Sequence, residues 1–172
     1  PATVELAGLE YELSETPQPQ YLLKTALQNG EGKGSDTLSL KTKYYDYIII
    51  DCPPALGLLT VNALVAADSL LVPLQCEFFA LEGLSQLLDI YERVKNSFNS
   101  ILEIEGVVLT MYDKRNNLSE LVAEDVRKHL GDRVYNTVIP RNVRVSEAPS
   151  FGRPVLLCDF NCAGAQAYVH LA

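Results

Sequence analysis

The residue with the clearest chemical potential is Asp51, a carboxylate at the end of an apolar run. Tyr47–Ile50 come directly before it, and Pro53 and Pro54 follow shortly after it. An unbroken apolar run predicts a strand buried on both faces of a parallel sheet, and prolines end a strand because they cannot donate backbone hydrogen bonds. Ligands bind parallel sheets at the carboxyl ends of the strands. The pattern is that of a Walker B carboxylate, which holds Mg²⁺ on a nucleotide phosphate, with a turn or capping residue as the alternative.

The other chemistry-bearing residues form no recognisable site. The four cysteines include no C-x-x-C pair and the two histidines lie far apart, so we expect buried free thiols and not a metal site or disulfides. A loop at residues 29–35 contains Gly-Lys but does not match a phosphate-binding P-loop. That pattern requires a glycine where the sequence has Leu27, and a serine or threonine where it has Gly34. We therefore interpret the loop as a surface turn.

Composition indicates a globular protein with an uneven charge. Of the 172 residues, 48% are hydrophobic and 21% are charged, and no apolar run approaches the roughly 20 residues of a membrane span, so we expect a cytoplasmic protein. The formal net charge is −8, but residues 114–153 carry eight basic and five acidic side chains, a local balance of +3. The acidic whole argues against wholesale binding to nucleic acid, whereas the local excess permits a basic patch.

Apolar spacing predicts alternating strands and helices along the chain. Strands are predicted at Tyr47–Ile50, Ser69–Leu74, Ile104–Met111, Val134–Ile139 and Val155–Cys158, and helices at 21–28, 58–66, 81–98, 117–130 and 164–172. Helices between successive strands indicate βαβ units. The expected fold is therefore α/β, with a mostly parallel twisted sheet flanked by helices on both faces, in a single domain over residues 1–172.

The loops that follow the first four strands would lie at one edge of this sheet, because crossover connections between parallel strands are right-handed. That edge would collect charged and amide side chains, namely Asp51, Gln75, Glu77, Asp113, Lys114, Arg115, Arg141, Asn142 and Arg144. Such a set is compatible with a nucleotide site.

Six runs of sequence carry a more specific signal: Tyr45–Pro54, Leu56–Thr60, Val72–Glu77, Ala80–Gly83, Gly106–Met111 and Ile139–Ser150. The last run, with its Pro-Arg-Asn-Val-Arg-Val-Ser-Glu-Ala-Pro-Ser sequence, is highly distinctive. In this order, and over nearly the whole chain, the runs closely resemble the ParA/Soj family of chromosome and plasmid partition ATPases. The resemblance implies a deviant-Walker P-loop ATPase in which ATP is sandwiched between two subunits, the dimer binds DNA without sequence preference, and a ParB-type partner stimulates hydrolysis.

The resemblance also implies roles for individual residues. Asp51 would be the catalytic Walker B carboxylate and would act on Mg²⁺ through water. The adjacent switch would consist of Cys52, Pro53, Pro54 and Gly57. By the same match, the adenine pocket would be lined by Pro140 and Asn142, and DNA phosphates would be contacted by Arg115 and Arg144. Both arginines fall within the locally basic part of the chain, and a guanidinium suits phosphate geometry.

The sequence departs from the family in one large respect. It contains no match to the lysine-rich Walker A loop or to the first switch, which precede these motifs in the family, so we expect a fold without about two βαβ units of roughly 30 residues each. We expect no ATP hydrolysis by this polypeptide alone, because the missing loop supplies the lysine and backbone N–H contacts to the phosphates. Two alternatives stay open: a MinD-like membrane-cycling ATPase, and a non-catalytic module that binds DNA or a partner. The family resemblance favours a cytoplasmic, nucleoid-associated protein without membrane contact.

Overall fold

The structure is a computed structural model that describes residues 5–28 and 45–172. These residues fall into two units, which are described separately. Unit 1 comprises the described residues up to 69 together with 87–103, and unit 2 comprises 70–86 and 104–172. The elements in chain order are α1 (Glu5–Ser14), α2 (Leu22–Gln28), α3 (Leu58–Ala66), β1 (Ser69–Gln75), α4 (Ala80–Ser97), β2 (Glu103–Tyr112), α5 (Asn117–Leu130), β3 (Val134–Pro140), α6 (Val143–Glu147), α7 (Val155–Cys158) and α8 (Ala163–Leu171).

The three strands form one sheet in the order β1-β2-β3, with β2 in the middle. β2 and β3 are parallel, and Val107 and Leu109 of β2 lie opposite Val134 and Val138 of β3. Val107 and Leu109 are buried on one face of β2, Val108 is buried on the other, and Val134 of β3 is buried as well. A central strand with apolar side chains on both faces is expected where helices cover the sheet on both sides.

The pairing of β1 with β2 is parallel as well. The backbone N–H of Glu103 donates to the carbonyl of Asp68 at 3.1 Å, and the N–H of Cys76 donates to the carbonyl of Thr110 at 3.3 Å. The partners therefore advance in the same direction along both strands, which is the parallel arrangement. Together with the helices between the strands, this confirms the predicted α/β fold.

In unit 1, a buried asparagine joins α3 to the chain around α2. The Asn62 side chain donates from Nδ2 to the carbonyls of Pro19 at 2.8 Å and Leu58 at 3.0 Å, and its Oδ1 accepts from the backbone N–H of Leu23 at 3.1 Å. Both N–H groups of this amide, and one lone pair of its oxygen, are thus used by backbone groups. The side chain fixes how α2 packs against α3.

A second buried asparagine, Asn99, closes the carboxyl end of α3. Its Nδ2 donates to the carbonyls of Leu64 at 3.0 Å and Ala67 at 2.7 Å. The last carbonyls of a helix have no partner within the helix, so a side chain must satisfy them when the helix end is buried. Asn99 supplies that cap from the segment after α4.

The strand predicted at Tyr47–Ile50 is wrong. These residues are not part of a strand, and the side chains of Tyr47 and Ile49 are 87% and 92% exposed. A parallel strand that is buried on both faces requires hydrogen-bonded neighbours and covering helices. No described residue pairs with this segment as a strand, so its apolar pattern does not produce one.

The strand predicted at Val155–Cys158 is also wrong, because these residues form the one-turn helix α7. Pro154 precedes it with φ −65°, and the N–H of Asp159 closes the turn on the carbonyl of Val155 at 2.9 Å. Only Val155 is buried in this run. Four apolar residues are too few for periodicity to separate a strand from a helical turn.

The remaining predicted elements match the structure to within about two residues at each end. The N-cap of α5 is Asn116, whose Oδ1 accepts from the N–H of Leu118 at 3.0 Å. The loop at residues 29–35 lies outside the described residues, and the single-domain prediction for 1–172 stays a prediction. Within the described ranges, no helix combines the length and apolar character needed to cross a membrane.

The cap on α3 leads to a stability prediction. Replacing Asn99 with alanine should lower the free energy of unfolding by about 2–3 kcal/mol, because two hydrogen bonds are lost and two buried carbonyls are left without donors. Urea denaturation followed by circular dichroism measures this change.

Asn96, an exposed residue of α4, provides the matched control. Asn96→Ala should change the free energy of unfolding by less than about 0.7 kcal/mol, since only helix propensity is affected. An equal loss in the two variants would show that Asn99 does not act as a cap.

Candidate functional site

The segment that carries Asp51 leads into α3 in unit 1. Asp51 and Cys52 are exposed, and α3 begins at Leu58. The hydroxyl of Thr60 donates to the carbonyl of Ala55 at 2.7 Å, which ties the loop to the first turn of the helix. The carboxylate of Asp51 therefore stands at the start of a loop that is anchored at its far end.

Cys52 is exposed, contrary to the prediction of buried cysteines, and Cys158 is exposed as well. All four cysteines are free, as predicted. Desolvation, with a further contribution from the negative charge of Asp51, raises the pKa of the Cys52 thiol above its usual value. The thiol is therefore protonated at neutral pH and is a poor nucleophile.

Glu10 of α1 contacts the end of this loop and was not found by sequence reasoning. One oxygen of its carboxylate accepts a hydrogen bond from the backbone N–H of Leu58, and the carboxylate occupies the space that a Cβ atom on Gly57 would need. Negative charge is favourable at a helix N-terminus, where N–H groups lack partners. A larger residue at 57 would displace this carboxylate, whereas the φ of −93° would suit any residue.

In unit 2, the loops after the three strands meet at the predicted edge of the sheet. Arg141 follows β3, and its backbone N–H donates to the carbonyl of Tyr112 at the end of β2 at 3.0 Å. Its guanidinium lies 3.3 Å from the carboxylate of Glu77, which follows β1. Near this point the pairing of β2 with β3 shifts register, and Met111 takes a left-handed φ of 50°. The strand ends are therefore locally irregular where the polar side chains gather, as is common beside functional sites.

Arg115 is held by Asp113 on the loop after β2. The guanidinium donates from Nε to Oδ1 at 3.0 Å and from Nη2 to Oδ2 at 2.9 Å, and the Arg115 backbone N–H also donates to Oδ1 at 3.0 Å. These bonds lower the pKa of the Asp113 carboxyl to about 2. The Arg115 side chain is nevertheless 88% exposed, so its remaining N–H groups face solvent.

Arg144 lies on α6 between two carboxylates. Its Nη1 lies 3.1 Å from Glu147, and its Nε lies 3.6 Å from Asp159. Asn142 caps the same helix, since its Oδ1 accepts from the N–H groups of Arg144 at 2.9 Å and Val145 at 3.4 Å. The side-chain oxygen of Asn142 is therefore used in the cap, whereas its Nδ2 makes no hydrogen bond to any described residue.

The predicted site residues are thus divided between the two units, and some of those in unit 2 lie close together. Pro140, the last residue of β3, and Asn142 lie two residues apart at the edge that also carries Arg141. Asp51, Cys52, Pro53, Pro54 and Gly57 belong to unit 1, and Arg115, Pro140, Asn142 and Arg144 belong to unit 2. Each predicted DNA-contacting arginine is paired with at least one carboxylate, which sequence reasoning did not anticipate.

Asp51 is a single exposed carboxylate, a kind of ligand that Mg²⁺ takes from proteins. Within residues 5–28 and 45–172, no group of three or more His, Cys, Asp or Glu side chains is arranged to hold a metal. Mg²⁺ is commonly held by only one or two carboxylates, with waters and substrate phosphates as its other ligands. The lone, exposed carboxylate of Asp51 is compatible with that kind of binding.

Comparison with known proteins gives consistent matches. The profile of the family described as AAA domain matches residues 1–104. The chain is 60% identical over all 172 residues to the chromosome partitioning protein ParA of Caulobacter vibrioides, and it covers 61% of that protein. It is 54% identical over 172 residues to the sporulation initiation inhibitor protein Soj of Bacillus subtilis, and it covers 64% of that protein.

A solved structure shows the same fold. Cobyrinic acid a,c-diamide synthase from Mycobacterium smegmatis, crystallised with a bound ATP analog and magnesium, superposes with a TM-score of 0.74 at 34% identity. The match covers 99% of this chain and 58% of that one, so the chain spans less than two thirds of each of the proteins compared. From the family profile and the identity to both partitioning proteins, the chain belongs to the ParA/Soj family of chromosome partitioning proteins.

Proposed function

We propose that this chain acts in the ATP-dependent partitioning of chromosomal or plasmid DNA, with ATP hydrolysis regulating dimerisation and nonspecific DNA binding. The observation that carries the proposal is the 60% identity to a ParA protein along the entire 172 residues. Because the chain covers 61% of that relative, the proposed hydrolysis requires parts of the site that these residues do not contain. The proposal assigns this chain the Mg²⁺ side of the site and the DNA-contacting surface.

In this proposal Asp51 orients the water ligands of Mg²⁺ on the nucleotide phosphates. The Mycobacterium smegmatis structure, with its ATP analog and magnesium, supports nucleotide and Mg²⁺ binding in this fold. The metal would neutralise charge that develops on the phosphates. The residues of this chain position that carboxylate, since the bond from Thr60 to Ala55 and the bond from Leu58 to Glu10 anchor the loop that follows it.

The proposed adenine contacts come from Pro140 and Asn142. The Oδ1 of Asn142 is occupied by the cap of α6, so only its Nδ2 is free to donate to a ring nitrogen. The Cys52–Gly57 loop is the proposed switch, because it links Asp51 directly to the first turn of α3. A change at the phosphates would be transmitted to α1 through Gly57 and Glu10.

Proposed DNA binding relies on Arg115 and Arg144, whose guanidinium groups are exposed to solvent. DNA phosphates would compete with the carboxylates that hold them, so binding should be weak and strongly dependent on salt. This suits an acidic protein that must release nonspecific DNA when its nucleotide state changes. A ParB-type protein as the regulator of that release and association with the nucleoid are parts of the same proposal.

Because Arg115 and Arg144 are paired with carboxylates, we expect two substitutions to change the affinity for nonspecific duplex DNA in opposite directions. The affinity is measured as retention on DNA across a salt series, in a chain fused to the N-terminal part of the Caulobacter relative. Arg144→Glu should weaken binding and reduce the salt slope by about one phosphate contact. Asp113→Asn should strengthen binding, since Arg115 loses the carboxylate that competes with phosphate.

Arg93 of α4 is exposed and is not among the residues proposed to contact DNA, so Arg93→Glu controls for the change in net charge. Equal loss of retention in the Arg93 and Arg144 variants would remove Arg144 from the DNA site. Weaker binding after Asp113→Asn would contradict the competition between Asp113 and DNA.

The absent Walker A loop leads to a prediction for hydrolysis. The 172-residue chain should release no phosphate from ATP, and the fused chain should do so. In the fused chain, Asp51→Asn should lower kcat by at least about 100-fold, because charge stabilisation of several kcal/mol through the metal is lost. A coupled phosphate-release assay measures both.

Asp46→Asn is the matched control for this substitution, as Asp46 is an exposed carboxylate in the same extended run. Turnover by the 172-residue chain that Asp51→Asn abolishes would contradict the requirement for a separate phosphate-binding loop. A normal kcat in the fused Asp51 variant would remove this residue from the metal site.

A further inference from the structure

Unit 2 carries an open apolar groove outside the predicted strand-end site. Its volume is about 570 Å³, and one wall is formed by Phe78, Phe79 and the first turn of α4. The other wall is the face of α5 that presents Leu118 and Leu121. None of the residues that line the groove belongs to a strand.

The exposure of these walls is unusual for large apolar side chains. Phe78, Phe79 and Leu121 are 69%, 76% and 62% exposed, and the two phenylalanine rings contact each other edge to face at 5.3 Å. Exposed apolar side chains that lie together can form an interaction surface, whereas single exposed apolar residues carry no such meaning.

The groove is held open by buried contacts beneath it. The hydroxyl of Ser119 on α5 donates to the carbonyl of Cys76 at 3.3 Å, and both residues are buried. Val122, at the base of the groove, is buried as well. The two walls are therefore joined through the protein interior, so a partner would meet a largely preformed surface.

The polar groups that line the groove are both carboxylates, Glu82 and Asp125. Asp125 also faces His129 on the next turn of α5, with Nδ1 and Oδ1 3.4 Å apart. Nucleic acid is a poor occupant, since its phosphates would approach two carboxylates and an apolar surface. A second copy of this chain is also unfavourable, because a two-fold contact would bring the same carboxylates together between chains that each carry a formal charge of −8.

We propose that this groove docks an amphipathic helix of a partner protein. The apolar residues of that helix insert between Phe79 and Leu121, and its lysine or arginine residues face Glu82 and Asp125. A helix is favoured over a strand because the groove offers no strand edge for backbone pairing, and helices enter grooves through side chains spaced three and four residues apart. None of the residues that line the groove is among those proposed to contact ATP or DNA.

The test uses the 172-residue chain and two fluorescent 18-residue helical peptides. Both carry leucines at every third or fourth position, and these are flanked by lysines in one peptide and by glutamates in the other. Fluorescence anisotropy should show saturable binding of the lysine peptide and at least tenfold weaker binding of the glutamate peptide. Leu121→Glu should weaken binding of the lysine peptide at least tenfold, since it places a charge in the apolar centre of the contact.

Two further variants separate the groove from general stickiness. Leu157→Glu changes an equally exposed leucine on α7 and should leave binding unchanged. The double variant Glu82→Gln with Asp125→Asn keeps the shape of the groove and should weaken binding three- to tenfold, with a smaller dependence on salt.

Several results would overturn the proposal. Equal binding of the two peptides would refute the role of the carboxylates, and equal loss in the Leu121 and Leu157 variants would refute the groove as the site. Absence of binding by either peptide would have the same consequence. Self-association in sedimentation experiments that Leu121→Glu abolishes would assign the groove to a second copy of the chain.

Discussion

The parallel pairing of β2 with both of its neighbours is the constraint on which unit 2 depends. The carboxyl ends of parallel strands lie at the same edge of a sheet, so the loops after β1, β2 and β3 meet there. The apolar centre of β2 makes this pairing stable, since each fully buried valine or leucine contributes roughly 1.5–3 kcal/mol. The contact between Glu77 and Arg141, 64 residues apart in the chain, is a consequence of this arrangement.

The ion pairs at this edge of the sheet orient arginine side chains more than they stabilise the fold. Arg115, Arg141 and Arg144 are all exposed, and exposed ion pairs contribute little to folding. Their carboxylate partners hold the guanidinium groups in fixed directions and reduce the local positive charge. The depressed pKa of Asp113 means that its pairing with Arg115 persists down to strongly acidic conditions and is lost only as the pH falls toward about 2. Near neutral pH these arginines are therefore oriented but not freely available to phosphate.

Sequence patterns predicted those elements whose partners are supplied within the described residues. The helix over 58–66 and the three strands of the sheet were found because each of them buries apolar side chains. The run Tyr47–Ile50 has the same kind of pattern, but no described residue pairs with it as a strand. An apolar pattern indicates the environment that a segment suits, and it does not provide the neighbouring strand. Glu10 was missed for a different reason: its contact with Leu58 spans 48 residues and leaves no local motif. The site roles implied by family resemblance stay predictions, and the carboxylate partners of Arg115 and Arg144 could be found only from the structure.

Two of the exposed apolar surfaces among the described residues, Tyr47–Ile50 and the groove beside Leu121, differ in what a covering segment must provide. At Tyr47–Ile50 the backbone itself lacks strand partners, so a covering segment must provide hydrogen bonds at the spacing of a β-strand as well as apolar contact. At the groove, the walls around Leu121 belong to helices whose backbone groups are already paired, so only side chains remain to be satisfied. Tyr47–Ile50 therefore require a neighbouring strand in register, which is a requirement of folding. The groove requires only side chains of matching shape and charge, which a partner protein can supply by binding reversibly.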